Sequence, residues 1–448
     1  MNKDHIVREY SKHLQNGAGA MFIGSGFSTL SGVPSWESLL APLADSRLQM
    51  DSVPPIDLTE LAQYIVNEAG GNRGALIAHM RESLGRSYLT NKYHRALTQT
   101  KISTIWTTNQ DTLIEQAFRE EGLSVTVKAT DDAISRGSSN PEVEVIKMHG
   151  SIDSSPHDDI VITQADYEDF FVRRPATAQR LSADMLSKSF LFVGYGYNDP
   201  NIRNIVVRAR RLARRATRQH FMVTVRRTKA PDDHLQQLWC ENLQRYGIEC
   251  LLLEDYAELP SILQAIARKS RGPSVYVTGS HLDSTNKTAT ALGASLARKP
   301  DLILIDGQSA GVSNQAVSAF LEAAIVDRVD ISSRLKIFPN PYAANPEFSS
   351  RSELLPTLKA WRAPLLRSTQ VVVFFDGRMG TEAEVGAALA AGCRLVPVPG
   401  LPGQLVEKVV SENPAILDSL PAEYVARFNA RTVEPEDIAA CVYAITRE

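Results

Sequence analysis

The sequence predicts an α/β protein made of two doubly wound, Rossmann-like domains with largely parallel sheets. Short apolar runs recur along the whole chain, and helical patterns separate several of them. Several runs end in a turn rich in glycine or polar residues. The sequence also opens twice in the same way, with an apolar strand, a Gly/Ser turn and then a helical pattern, at Gly19–Ser28 and again at Val275–His281.

In the first half the strand candidates are Gly19–Ile23, Ile102–Thr107, Val143–Met148, Ser189–Val193, Phe221–Val225 and Cys250–Leu253. In the second half they are Val275–Thr278, Leu302–Ile305, Arg334–Phe338, Val371–Phe375 and Arg394–Val398. Between the halves lies Arg268–Lys269–Ser270–Arg271–Gly272–Pro273, a polar stretch ending in a Gly-Pro breaker. This places one domain at 1–268 and the other at 273–448. The halves share architecture but no residue-level repeat.

Length and composition bound the function. The 448 residues suit two to four domains, and 43% hydrophobic with 22% charged residues is ordinary for a soluble globular protein. A net charge of −3 gives no reason to expect a nucleic-acid partner. The local basic run Arg208, Arg210, Arg211, Arg214 and Arg215 sits in a helical pattern and reads as a solvated face or a subunit contact. Cys240, Cys250, Cys393 and Cys441 form no C-x-x-C pair, so zinc-ribbon spacing is missing and no metal is expected. Free thiols fit a reducing cytoplasm. Met1–Gln15 carries no apolar signal core, and no apolar run reaches the ~18–20 residues of a membrane span. A cytoplasmic protein with no membrane contact is expected.

In open α/β sheets, ligands bind beyond the carboxyl ends of the strands. Four turns fall at such ends in the first half: Gly24–Ser25–Gly26–Phe27–Ser28, Thr107–Thr108–Asn109–Gln110–Asp111, His149–Gly150–Ser151, and the run from Gly194 to Asp199. Glycines at 24 and 26 would let the backbone approach a phosphate, and a following helix would aim its N–H groups at the anion. Each residue also has a plainer reading. Asn109 could cap a helix starting near Thr112, Asp111 could favour the same helix through its charge, and His149 could be a satisfied turn histidine.

The order Gly24-Ser25-Gly26-Phe27-Ser28, Gly32-Val33-Pro34-Ser35-Trp36, Asn109-Gln110-Asp111 and His149-Gly150 resembles the sirtuin superfamily over roughly residues 5–260. The resemblance implies NAD⁺ as substrate and cleavage of the nicotinamide–ribose bond. Asn109 and His149 become the catalytic candidates. Asn109 would bond a ribose hydroxyl or position water, and His149 would act as general base. Gly24, Ser25, Gly26, Ser28, Asp111 and Gly194 become the dinucleotide-binding candidates, Asp111 fixing the site or the nicotinamide amide. The two C-x-x-C pairs of deacylating sirtuins are missing, and Ser154–Leu186 reads as a helical insertion. Hydrolysis by water is therefore favoured over acyl-lysine removal. A sirtuin-type deacylase and a non-catalytic nucleotide-binding module are the competing readings.

In the second half, Gly380–Thr381–Glu382–Ala383–Glu384 follows a strand and opens a helix, Val385 to Ala391, with Glu384 one turn into it. It resembles the Gly-Thr-x-x-Glu core of the Lonely-guy nucleotide hydrolases and the wider SLOG family, over about residues 273–445. Gly279–Ser280 matches that family's opening turn, and Gly307–Gln308–Ser309–Ala310–Gly311 its second loop. The Pro-Gly of the hydrolase loop is replaced by Asp376–Met379, which favours a sensor over a catalyst. Gly279, Ser280, Gly380, Thr381 and Glu384 are the signal-binding candidates, with Arg351 and Arg367 as phosphate partners. For each arginine a surface role, and for Glu384 a helix-terminal charge, is the plainer reading.

A sirtuin-like domain followed by a SLOG domain resembles the NAD-cleaving effectors of Thoeris antiphage defence. That resemblance implies activation by a cyclic ADP-ribose isomer made by a TIR-domain partner, NAD⁺ depletion, and a homo-oligomer, a tetramer or a higher assembly.

Overall fold

The computed structural model describes residues 2–44, 57–136, 141–153, 159–196, 199–213, 218–229, 231–341, 352–401 and 403–447. The chain divides into two compact units, residues 1–98 with 102–263, and residues 264–448 with 99–101. The division falls inside the helix Leu259–Ser270, a few residues before Gly272–Pro273. Arg271 explains why the breaker travels with the second unit. Its guanidinium is buried there, donating to the carbonyls of Thr369 and Ala391 at 2.9 and 2.5 Å.

The first unit holds seven parallel strands in the order β3-β4-β2-β1-β5-β6-β7. They are β1 Gly19–Ile23, β2 Thr104–Thr107, β3 Val125–Lys128, β4 Val143–Lys147, β5 Ser189–Val193, β6 His220–Val225 and β7 Ile248–Leu253. Alternate residues face opposite sides of a strand, and both sides are buried here. Ala20, Phe22, Trp106, Phe190, Phe192 and Met222 share one core, while Met21, Ile23, Ile105, Leu191 and Val223 are buried on the other face. That double burial is why the strands read as unbroken apolar runs. Strand β3 was not anticipated. Its sequence, Val-Thr-Val-Lys, alternates apolar and polar residues, and the strand forms an edge of the sheet with Val125, Thr126 and Val127 only partly buried.

The second unit holds five parallel strands in the order β10-β9-β8-β11-β12. They are β8 Ser274–Thr278, β9 Ile303–Asp306, β10 Leu335–Ile337, β11 Val371–Phe374 and β12 Arg394–Pro397. Val275, Val277, Leu304, Val371 and Val373 pack into one core with Phe320, and Tyr276, Ile305, Val372 and Phe374 into another with Leu365. Both sheets are therefore covered on two faces, as doubly wound folds require.

In each unit the first strand lies mid-sheet, and the order reverses beside it, between β1 and β5 and between β8 and β11. Such reversal points open a crevice at the carboxyl edge. Among the described residues, no helix is long and apolar enough to cross a membrane. The segment 164–187 is helical, as Gln164–Glu168, Phe170–Arg173 and Pro175–Ser187.

Candidate active site and candidate nucleotide site

In the first unit the turns after β1 and β5 interlock at the reversal point. The Gly24 amide donates to the Val193 carbonyl at 3.0 Å, and the Gly26 amide to the Gly194 carbonyl at 3.1 Å. A Cβ on Gly24 would collide with the Gly194 carbonyl oxygen, and Gly194 itself has φ +60°. Only glycine permits this crossing. The expected α-helix after the turn is absent. Two 3₁₀ turns, Ser25–Phe27 and Thr29–Ser31, end at Gly32 (φ +83°), and Pro34 follows. An α-helix dipole therefore does not serve this turn, since Gly32 and Pro34 interrupt any longer helix.

A cleft of about 810 Å³ opens at this edge. Ser25, Asn109, Asp111, His149 and Gly194 all line it, joined by Val33, Pro34 and Trp36 of the Gly32–Trp36 segment. Gly24, Gly26 and Ser28 stand just behind, as the backbone and side chain that Asn109 and Gly194 touch.

The backbone amide of Asn109 is fixed by the Thr107 hydroxyl at 2.9 Å. Its Nδ2 donates to the Gly24 carbonyl at 3.2 Å and toward Ser28 Oγ at 3.4 Å. It is not a helix cap. Asp111 takes that part, its Oδ1 accepting the Leu113 amide at 3.1 Å at the start of the helix Leu113–Glu120. The buried Oδ1 of Asn109 has no hydrogen-bond partner among the described residues. An orphaned buried acceptor is costly unless a ligand or water satisfies it.

His149 follows β4, with its carbonyl held by the Val161 amide at 3.1 Å. Gly150 turns at φ +83°, a conformation that favours glycine, and a Cβ there would press on the Asp159 carbonyl and on Arg174. The imidazole is buried, edge-on to Tyr167 at a 5.1 Å centroid separation. Its Nε2 lies 3.0 Å from Asp199 Oδ2. The Tyr167 hydroxyl lies 3.5 Å from Nδ1, and burial pushes the Tyr167 hydroxyl's pKa well up. The loops carrying Asn109 and His149 are tied together from behind. Lys147, the last residue of β4, donates to the Asp111 carbonyl and to Ser151 Oγ, and pairs with Glu115. Sequence reasoning overlooked Tyr167, Lys147 and Glu115, and it stopped at Gly194 in a turn whose last residue is Asp199. The Asp-Pro step at 199–200 was the available signal, because Asp199 caps the helix Pro200–Ala213.

In the second unit, Gly279 and Ser280 lie at the reversal point. A Cβ on Gly279 would press on Phe375 and Val312 at 2.9 Å, and the Ser280 amide donates to the Asp376 carbonyl at 3.0 Å. The helix here runs Met379–Ala390, so Gly380, Thr381 and Glu384 lie in its first turns, as expected. Gly377 and Thr381 pack so closely that a Cβ on the glycine would collide with the threonine hydroxyl. Thr381 Oγ1 in turn donates to the Gly279 carbonyl at 3.0 Å. Gly380 meets open space.

Glu384 reaches into a polar network. Its Oε2 accepts from Tyr276 at 3.0 Å and Thr278 at 2.6 Å, and its Oε1 lies 3.3 Å from Arg362 Nη2. Arg362 also donates to the Gly307 carbonyl at 2.7 Å and to Ser309 Oγ at 3.1 Å. Arg362, Ser309 and Gly307 thus join the loop after β9 to Glu384. Arg367 does not belong to this group, which corrects the sequence reading. It ends the helix Leu355–Arg367, and the next residue, Ser368, gives its carbonyl to Ser274 at the amino end of β8. The turns with Gly279 and Thr381 lie at the opposite, carboxyl edge. Arg351, Arg214 and Arg215 lie outside the described residues. Among the described residues, no group of His, Cys, Asp and Glu is placed to hold a metal ion.

A parallel α/β unit with a reversal-point cleft carrying Asn109 and His149, followed by a second parallel unit, defines a two-unit protein of the SIR2-like class. The SIR2-like domain family matches residues 103–251. The chain belongs to the ThsA family. It is 31% identical to the NAD(+) hydrolase ThsA of Acinetobacter baumannii (strain 532279), over 88% of this chain and 86% of that protein. It is 30% identical to the NAD(+) hydrolase ThsA of Bacillus cereus (strain MSX-D12), over 85% of this chain and 81% of that protein. The Enterococcus faecium protein of the same name is 31% identical, with 72% of each chain covered.

Proposed function

We propose that the first unit hydrolyses NAD⁺ to ADP-ribose and nicotinamide, and that the second unit controls this by binding a cyclic ADP-ribose isomer. The observation that carries the hydrolase reading is the convergence of Asn109 and His149 on one cleft, with Asn109 Oδ1 left unpartnered among the described residues. Membership of a family whose proteins are named NAD(+) hydrolases supports it. Asn109 offers an acceptor for a ribose hydroxyl or for the attacking water, and its Nδ2 is committed to the glycine turn. His149 takes the proton of that water. The interlocked turns at Gly24 and Gly194 lie where open α/β sheets bind dinucleotides.

Control by the second unit is a linkage problem. A signal activates only if it binds the active arrangement more tightly than the resting one. The Arg362–Glu384–Tyr276 network supplies polar groups at the right edge of the sheet, and a guanidinium there suits a phosphate. In this reading the signal comes from a TIR-domain partner, the protein assembles as a homo-oligomer, and NAD⁺ depletion in the cytoplasm serves antiphage defence. The test is release of nicotinamide from NAD⁺ by the purified protein, with and without cyclic ADP-ribose isomers. Turnover stimulated by an isomer is the expected result. Turnover only with an acylated peptide, or binding with no release under any condition, rejects it.

A further inference from the structure

We infer that Asp199 is the positioning residue for His149, fixing the imidazole so that Nδ1 is the atom that accepts the proton. The inference rests on the hydrolase reading of the cleft. Both His149 Nε2 and Asp199 Oδ2 are buried, they lie 3.0 Å apart, and neither has another hydrogen-bond partner among the described residues. The approach is off the axis of a full hydrogen bond, as catalytic pairs often are before substrate tightens them. Asp199 is itself immobilised. Its other oxygen accepts the amides of Asn201 and Ile202 at 2.8 and 3.1 Å, at the start of a fourteen-residue helix.

A carboxylate can only accept, so the neutral imidazole beside it carries its proton on Nε2. The lone pair is then on Nδ1. The Tyr167 hydroxyl is 3.5 Å from that atom, the outer limit of a hydrogen bond, and does not occupy it firmly. In hydrolysis the water oxygen bonds to the anomeric carbon of the nicotinamide riboside. The carbon–nitrogen bond breaks with its electron pair kept by the nicotinamide ring nitrogen, and the water proton goes to Nδ1 and then to solvent. The balance is NAD⁺ plus water giving ADP-ribose, nicotinamide and a proton.

The deciding variant is Asp199→Asn, because asparagine caps a helix as well as aspartate does but no longer demands a proton on Nε2. Its kcat should fall by about 100-fold or more, as losing the orienting carboxylate of a histidine base does, with KM nearly unchanged. Asp199→Glu, which keeps the carboxylate, should recover part of the loss. Nitrogen-15 NMR of the unmodified protein, with the signal assigned by its disappearance in His149→Ala, should show neutral His149 in the Nε2–H form. Full kcat in Asp199→Asn beside an inactive His149→Ala shows that Asp199 only caps its helix. An Nδ1–H signal in the unmodified protein overturns the inference without any Asp199 variant. Full turnover in His149→Ala removes the hydrolase base itself, and this inference with it.

Discussion

Lys147 Nζ and Glu115 Oε1 meet at 2.7 Å, with each side chain only 1% exposed. Charges this deeply buried are tolerated only as a pair, and removing one partner strands the other. Lys147→Met should therefore lower stability by about 3–5 kcal/mol. The double variant Lys147→Met/Glu115→Leu should regain most of it. Urea unfolding of the three proteins checks this, and equal losses in the single and double variants would contradict it.

Asn109→Ala and His149→Ala should each reduce NAD⁺ turnover by roughly 100-fold or more. Asn109 also anchors the glycine turn through its Nδ2, so circular dichroism and melting must accompany the assay. A variant with a native melt and full nicotinamide release would clear that residue of a catalytic part.

Gly24→Ala drives a methyl group into the Gly194 carbonyl. Overpacking of this kind costs about 1–3 kcal/mol, and here it also forces β1 and β5 apart where the cleft opens. The expected outcome is a lower melting temperature together with a raised KM for NAD⁺. Gly380→Ala, at a helical position with open space around it, should not lower the melt and serves as the control.

Two buried histidines give the first unit an acid-sensitive stability. Burial lowers the pKa of His94 to about 4 and of His220 to about 4, against 6.5 unperturbed. Between pH 6.5 and 4 the unfolded chain binds protons there that the folded chain does not. Stability therefore falls as pH drops through that window, by on the order of 3 kcal/mol for each group, and no further below it. Urea midpoints from pH 7 to 4.5 should show the slope, and His220→Gln should flatten it.

In the second unit, Glu384→Gln and Arg362→Ala should each weaken binding of a cyclic ADP-ribose isomer by tenfold or more. That is the usual scale for one charge-assisted contact, about 1.5–3 kcal/mol. Arg367→Ala should not, because Arg367 ends its helix at the amino edge of the sheet. Calorimetric titration of the three variants separates them. Loss of binding in Arg367→Ala with retention in Arg362→Ala would reverse the assignment.

These outcomes depend on features that the sequence disclosed unevenly. Strands buried on both faces, such as Ser189–Val193, announce themselves because every residue is apolar or small. The edge strand Val125–Lys128 does not, since it is short and two of its four residues are polar. Asn109, Asp111 and His149 were legible because turns after parallel strands must converge on one edge. Their exact duties were not. Whether Asn109 or Asp111 caps the helix Leu113–Glu120 is decided by side-chain direction, which spacing does not encode. The same holds for Arg362 and Arg367. Both lie on one helix, and only its direction along the sheet tells which of them reaches Glu384.

The hydrogen bonds from Gly24 to Val193 and from Gly26 to Gly194 run backbone to backbone, with no side chain in between. No rotamer change can loosen them, because both partners of each bond are main-chain groups. Loosening this floor of the cleft takes movement of β1 or β5 itself, and both strands are buried along their whole length.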